Sequence, residues 1–386
     1  MSSYAPIGGK LLTKPMLLLA MLFMLALALL ATRFIFGLGA VTNINDGYPW
    51  GIWIVIDVMI GTAIGCAGYS MALLVYLFNR GEYHPLMRSA LMAGMFGYTL
   101  AGMAVIFDLG RYWQFYTLLW PWFVQLNSVM LEVAWCVMAY IVVLWIEFTP
   151  AFLERLGWTG LNRKLSRVLF FFIALGILLP TMHQSSLGTM AVVAGYKISP
   201  LWQTQMLPPL FLTSALLMGY AIVPFESTLA AMGLRQPTET RLLAKISGVA
   251  LVVTLFYLAL RFGDLLYRGA FGLAFENTLD ALMFWIENLL FIAPVVMLAR
   301  PALRSHPRVI FLSAVSLLLA GSLYRLNVYI IGFHPFPGAH WHYFPSVGEV
   351  MVTVGMFSLE VILYLLFVKY LPVLHRASTT QNAVTR

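Results

Sequence analysis

The sequence predicts an all-α integral membrane protein of about ten transmembrane helices, with both termini cytoplasmic. Three observations predict it. Of 386 residues, 61% are hydrophobic and only 10% are charged, where a soluble domain carries roughly 25% charged residues. The mean hydropathy is +0.87. Apolar runs able to cross a ~30 Å hydrocarbon core recur ten times, and Lys and Arg alternate between the intervening loops as the positive-inside rule requires.

The first run, 16–36, follows Lys10 and Lys14 and reaches Arg33. It is longer than the roughly 7–15 apolar residues of a signal peptide, so a retained helix is expected. The second, 51–78, holds Gly61 and Gly65, a spacing that allows close helix packing. The third, 88–107, closes at Asp108 and Arg111, and the fourth, 126–146, contains Glu132 and is followed by Glu147. The fifth, 167–182, is short and leans on the polar run His183, Gln184, Ser185 and Ser186. The remaining five are 207–225, 246–262, 281–299, 309–331 and 348–368. With this count, all Lys and Arg fall on one side except Arg33, Arg111, Lys197, Arg261, Arg268 and Arg325. A nine-helix reading would scramble that alternation. The chain reads as one polytopic domain, 1–372, with a short cytoplasmic polar tail, 373–386.

Composition also excludes function classes. The net charge of +8 is accounted for by the cytoplasmic loops, so no nucleic-acid partner is expected. Cys66 and Cys136 are isolated in apolar runs, whereas an iron–sulfur cluster or structural zinc needs clustered thiolates. No phosphate-binding or dinucleotide-binding glycine motif occurs. Of the seven histidines, His183 alone sits where a helix could turn it into a cavity. A membrane-crossing b-type haem usually needs two helix-borne histidines, so no haem, iron–sulfur cluster or other metal is expected in this chain.

Ionisable groups inside a membrane are costly and are by default functional. Here Asp57, Asp108, Arg111, Glu132, His183, Arg261, Asp264, Glu287 and Arg325 fall near the outer ends of the runs, as though around a shared cavity. Asp108 with Arg111 is the obvious structural ion pair. Trp50, Trp53, Trp113, Trp120, Trp122, Trp202 and Trp341 lie at the same level. There they suit an aromatic belt, or the walls of a site for a planar ring. Glu147, Glu226 and Glu360 form a second, deeper set. Glu132 and Glu147 are about 22 Å apart along one helix and offset by about 60°, with Tyr140 between them. That spacing suits a proton relay.

The stretches GYPWGIWIVID (47–57), FNRGEYHPL (78–86), DLGRYW (108–113), NSVMLE (127–132), LPTMHQSS (179–186), RFGDLLYR (261–268) and MFWIE (283–287) resemble the NrfD/polysulfide reductase membrane-subunit family. Within it, the pattern is nearest to membrane subunits of hydrogenase-2-type nickel–iron hydrogenases. The resemblance covers about Gly8 to Pro372. It implies a multi-pass subunit of a bacterial inner membrane, reacting with menaquinone or ubiquinone. Its implied partners are a periplasmic ferredoxin-like iron–sulfur subunit and the small and large hydrogenase subunits. In the polysulfide reductase relative a first-helix histidine approaches quinone; the first run here has none. That contact set is not carried over whole, and the expected quinone-binding residues, chosen as hydrogen-bonding, proton-carrying or ring-lining groups, are His183, Gln184, Ser185, Asp57, Asp108 and Trp53. The expected proton-transfer residues are Glu132, Glu147 and Glu226. The loops 38–49, 108–125, 183–206, 263–280 and 332–347 are expected to form the periplasmic docking face. The alternatives are another periplasmic reductase of polysulfide or nitrite type, a proton-coupled transporter, or a passive anchor. Transporters place their site nearer the bilayer midplane on broken helices.

Overall fold

A computed structural model describes residues 4–234, 239–336 and 343–374. It contains ten helices long and apolar enough to cross a membrane: α1 (Lys14–Phe36), α2 (Trp53–Leu77), α3 (Gly81–Asp108), α4 (Val129–Leu156), α5 (Thr159–Lys197), α6 (Leu207–Leu234), α7 (Thr240–Tyr267), α8 (Leu279–Ala299), α9 (Pro307–Ile331) and α10 (Val347–Tyr370). Helices satisfy every interior backbone group within the element, which hydrocarbon demands. Trp341, His340, His342 and nearly all of the polar tail lie outside the described residues.

Helices α2 and α6 are enclosed by the others over most of their length, while α1 and the apolar stretch of α5 face outward. Glycines set the closest approaches. A Cβ on Gly94 of α3 would stand 2.6 Å from the Gly65 carbonyl oxygen of α2, and one on Gly65 would meet the Tyr98 ring at 2.9 Å. The missing side chains let α2 and α3 touch and leave Tyr98 a slot to fill. Helix α2 is π-helical over Trp53–Ile60 and again over Leu73–Leu77, and α9 ends in a π-helical turn, Asn327–Ile331. Such turns re-aim side chains and often mark functional positions.

Several boundaries differ from the hydropathy reading, for one reason: hydropathy reports what lipid tolerates, not where the helix stops. Helix α5 does not end at residue 182. Its α-helical part continues through His183–Ser186 to Ala194, so the expected outer loop shrinks to 198–206. The polar run stays helical because His183, Gln184 and Ser186 are buried against protein. A Cβ on Gly188 would meet the Leu207 carbonyl oxygen at 2.5 Å, so α5 passes directly over the start of α6. Likewise α6 and α7 run past Glu226, Arg261 and Asp264. Helix α4 starts at Val129, capped by the Ser128 side chain, which puts Glu132 in its first turn. There a carboxylate suits the helix dipole. Glu147 lies well inside α4, about 14 Å from its end at Leu156.

Candidate functional site

A fully buried polar network is built on α2, α3, α5, α6 and α9 around His183. The ring is fully enclosed. Its Nδ1 donates to the Leu179 carbonyl oxygen at 2.8 Å, one helical turn back, and its Nε2 lies 2.7 Å from the Tyr98 hydroxyl. Pro180 sits in the same turn of α5; it removes one backbone donor and loosens the hydrogen-bond ladder there. The Gln184 amide nitrogen donates to Thr62 Oγ1 at 3.0 Å and lies 3.2 Å from His183 Nε2. The Gln184 carbonyl oxygen accepts from Arg325 at 3.1 Å. Arg325, fully buried, also donates to Ser214 Oγ at 2.9 Å and to the Phe211 carbonyl oxygen at 3.1 Å, and lies over the Phe211 ring. A buried cation is tolerable only when its donors are largely taken up; here neutral oxygens take both terminal nitrogens, while Nε is buried without a partner. Tyr140 of α4 packs its ring edge-on to Tyr98, with centroids 4.6 Å apart, and lies 6.1 Å from His183. On the next turn of α5, Ser186 donates to Glu132 at 2.8 Å.

A second buried polar group adjoins the first through α9. Glu287 of α8 accepts from Trp202 Nε1 at 2.8 Å and from Asn327 at 2.7 Å, and Arg261 of α7 lies 3.8 Å from its other oxygen. Arg261 and Glu287 are both fully enclosed, and the Arg261 guanidinium lies over the Phe284 and Tyr324 rings.

The expected quinone-binding set falls into separate neighbourhoods. His183 and Gln184 share the central network. Ser185 turns away, its hydroxyl donating to carbonyl oxygens of its own helix at Thr181 and Met182. Asp57 lines a cavity of about 30 Å³ between α2, α3 and α10, together with Glu360, Gly61 and Gly97. That volume is enough for a water molecule, and Asp57 Oδ2 has no protein partner. Trp53 is buried, with Nε1 donating to the Glu349 carbonyl oxygen at 3.0 Å. Neither it nor the fully buried Trp202 belongs to an aromatic belt; exposed Trp113, Trp120 and Trp122 suit one better. Asp108 does not pair with Arg111, which is exposed. Instead Arg33 of α1 reaches over this helix end, donating to the carbonyl oxygens of Phe107 and Leu109. One oxygen of Asp108 is buried without a partner. Of the expected proton-transfer residues, Glu132 and Glu147 share α4, and Glu147 lies against Gly176 of α5. Glu226 stands apart, in a cavity of about 50 Å³ that Tyr364 also lines.

Sequence reasoning missed Tyr98, Thr62 and Ser214, which carry no signal beyond being polar in an apolar run. It also missed Glu349, although Ser346 and Glu349 have the spacing of a capping box, which the structure contains. Glu349 receives the Tyr343 hydroxyl at 2.6 Å and the Asn43 and Ser346 amides. Burial pushes the Tyr343 phenol above its ordinary value, and the bond to Glu349 adds to the shift. In the loop after α9, a hydrogen bond from His334 to Asp280 at 3.2 Å raises the imidazole pKa above its ordinary value, against an opposing effect of burial.

Among the described residues, His183 is the one buried histidine. Both of its ring nitrogens are engaged by protein groups, which does not fit a haem ligand. Nor do three His, Cys, Asp or Glu side chains converge among the described residues as a metal site would need.

Comparison with known proteins gives three findings. The family model described as polysulphide reductase, NrfD, matches residues 40–336. The chain is 44% identical over 372 residues, 96% of its length and 94% of the relative's, to the "Probable Ni/Fe-hydrogenase 2 b-type cytochrome subunit" of Escherichia coli (strain K12). It is 28% identical over 385 residues, 87% of its length and 86% of the relative's, to the "Menaquinone reductase, integral membrane subunit" of Nitratidesulfovibrio vulgaris (Hildenborough).

Proposed function

The chain belongs to the polysulphide reductase, NrfD family, and from that premise we propose that it is the quinone-reactive membrane subunit of a periplasm-facing nickel–iron hydrogenase complex in a bacterial inner membrane. Hydrogen oxidation releases two electrons and two protons. The soluble hydrogenase subunits carry out that step, a ferredoxin-like iron–sulfur partner delivers the electrons, and menaquinone or ubiquinone takes up two electrons and two protons to become quinol. The names of the hydrogenase-2 and menaquinone reductase relatives support the partner and the substrate class.

The observation that carries the proposal is the enclosed network joining Tyr98, His183, Gln184 and Arg325. Quinone chemistry needs placed proton donors and a positive potential where negative charge develops. Tyr98 and His183 share a short hydrogen bond along which a proton can move without either ring leaving its place. Arg325 supplies a fixed positive charge, relayed by the Gln184 amide. His183 and Gln184 are thus the centre of the quinone-reactive site. Asp57, Asp108, Ser185 and Trp53 lie outside this network and belong to the proposed quinone-binding set from their separate positions. Protons reach it along α4, through Glu132 and its Ser186 contact and through Glu147, with Glu226 as the carboxylate of α6; coupling to proton translocation would use the same groups. Both termini are cytoplasmic in this reading, and the loops at the opposite face dock the iron–sulfur partner.

The test is His183→Ala in the assembled complex. Hydrogen-driven reduction of an artificial dye, which needs only the soluble subunits, should persist. Quinone reduction should fall by roughly a hundredfold or more, the lower range for general acid–base groups. Unchanged quinone turnover in the intact complex would remove His183 from the site. Cysteines placed in 38–49 or in 268–278, between α7 and α8, should react with an impermeant thiol reagent in intact cells lacking the partners; labelling only after lysis would invert the topology.

A further inference from the structure

A cleft of about 1120 Å³ opens between the end of α2, the start of α7 and the turn that follows α8. Its rim carries Arg80, Arg241, Lys245 and Arg304, and among the described residues the only carboxylate lining it is Glu82, which pairs with Lys245. Among the described residues, Arg80, Arg241 and Arg304 take part in no ion pair. The Nε of Arg304 is buried without a partner. Its guanidinium lies along α7 at Gly248, where a Cβ would meet Nη1 at 3.0 Å. Below the rim the lining turns apolar, with Leu74, Val249 and Val252, and Val252 is 65% exposed. Thr240 to Val252 spans about 18 Å of helix. With α7 spanning a bilayer, that length would take the cleft from headgroup level into the depth of the acyl chains.

We propose that this cleft binds an anionic phospholipid. The phosphate would sit among Arg80, Arg241 and Arg304, with an acyl chain against Val249 and Val252. Unpaired cations above a hydrocarbon-depth wall match both halves of such a lipid, whereas a soluble anion has no use for the apolar wall. The proposal is independent of the quinone reading, since no cleft residue belongs to the His183 network.

The experiment uses the whole complex, purified in mild detergent, delipidated and supplied with phosphatidylglycerol, phosphatidylcholine or inorganic phosphate. Lipid retention is read by native mass spectrometry. The intact chain should keep phosphatidylglycerol in preference to phosphatidylcholine. The triple variant Arg80→Gln, Arg241→Gln, Arg304→Gln should lose retention by roughly a hundredfold, at about fivefold for each basic residue near an anionic surface. A control triple variant on the exposed first turns of α5, Arg163→Gln, Lys164→Gln, Arg167→Gln, removes the same charge and should retain the lipid. Should the cleft triple fail to assemble, Arg304→Gln alone should lower retention about fivefold. Equal loss in the control, unaltered retention in the cleft variants, or competition by inorganic phosphate as effective as by phosphatidylglycerol would each overturn the site.

Discussion

Tyr98 and His183, 85 residues apart in sequence, meet at 2.7 Å between the phenolic oxygen and Nε2. Because Nδ1 donates to the Leu179 carbonyl oxygen, the neutral imidazole presents Nε2 as acceptor and Tyr98 is the donor. The ring is therefore held at both nitrogens, one by its own helix and one by α3. Gly65 opens the slot in which Tyr98 lies.

Tyr98→Phe keeps the ring packing and removes the donor. His183 Nε2 is then left with the Gln184 amide at 3.2 Å. The lost hydrogen bond should cost about 1 kcal/mol of stability, so the complex should assemble and reduce dye normally. Hydrogen-driven quinone reduction should fall at least tenfold, and its pH profile should shift because the imidazole loses the phenol that hydrogen-bonds its acceptor nitrogen. Wild-type quinone kinetics with a wild-type pH profile would make Tyr98 a packing residue only.

Arg261 and Glu287 are both sealed from solvent, so removing one partner strands the other charge in low dielectric. Glu287→Leu and Arg261→Met should each destabilise the chain by about 3–5 kcal/mol, seen as a lower unfolding temperature in detergent. The double variant removes both charges and should be less destabilised than the two losses added. Strict additivity would mean that the pair, 3.8 Å apart, carries no coupling.

The ten helices were legible in the sequence because lipid exposure forces long apolar runs, and α1 to α10 each coincide with one of them to within a few residues or extend beyond it. The interior was less legible. His183 and Gln184 stand out as polar residues at a hydropathy edge, yet the helix runs on through that edge; a polar residue facing protein and one facing water look alike in a hydropathy sum. Arg261, Glu287 and Arg325 were visible as intramembrane charges, and the structure does place Arg261 beside Glu287. Which charges meet depends on helix rotation, which composition does not encode. Asp108 and Arg111 are close in sequence, yet the helix ends at Asp108, and the chain turns Arg111 outward. Tyr98, Thr62 and Ser214 had to wait for the packing, since a lone hydroxyl in an apolar helix most often bonds to its own backbone.

Glu132 and Glu147 test the relay. Glu132→Gln keeps the shape and can still accept from Ser186, so local structure should survive, but the amide cannot cycle through a charged form. Glu147→Gln does the same where Glu147 packs on Gly176. In proteoliposomes containing the complex, each variant should slow hydrogen-driven quinone reduction at least tenfold and abolish its sensitivity to membrane potential. Dye reduction serves as the control. Full activity with an intact potential response in both variants would leave these carboxylates without a proton-transfer role.

His334 gives a pH signature at the loop face. Its side chain bonds to Asp280 at the start of α8, and its backbone amide donates to the Lys197 carbonyl oxygen at 2.6 Å. The contact joins the 332–336 loop to two helix ends. The bond to Asp280 raises the folded imidazole pKa above the unfolded value of about 6.5. A raised folded value means that the contact stabilises fully below the unfolded pKa and is lost as pH rises through the folded one. The side chain is 57% exposed, so the contribution stays below about 1 kcal/mol. Global unfolding would register this weakly; local opening is the better readout. Amide exchange in 195–199 and 332–336, corrected for its intrinsic pH dependence, should show more protection at pH 5.5 than at pH 9 in the intact chain. His334→Gln should flatten that difference while leaving protection of α8 beyond its first turn unaltered. A variant that keeps the full pH difference would assign it to a group other than the His334 imidazole.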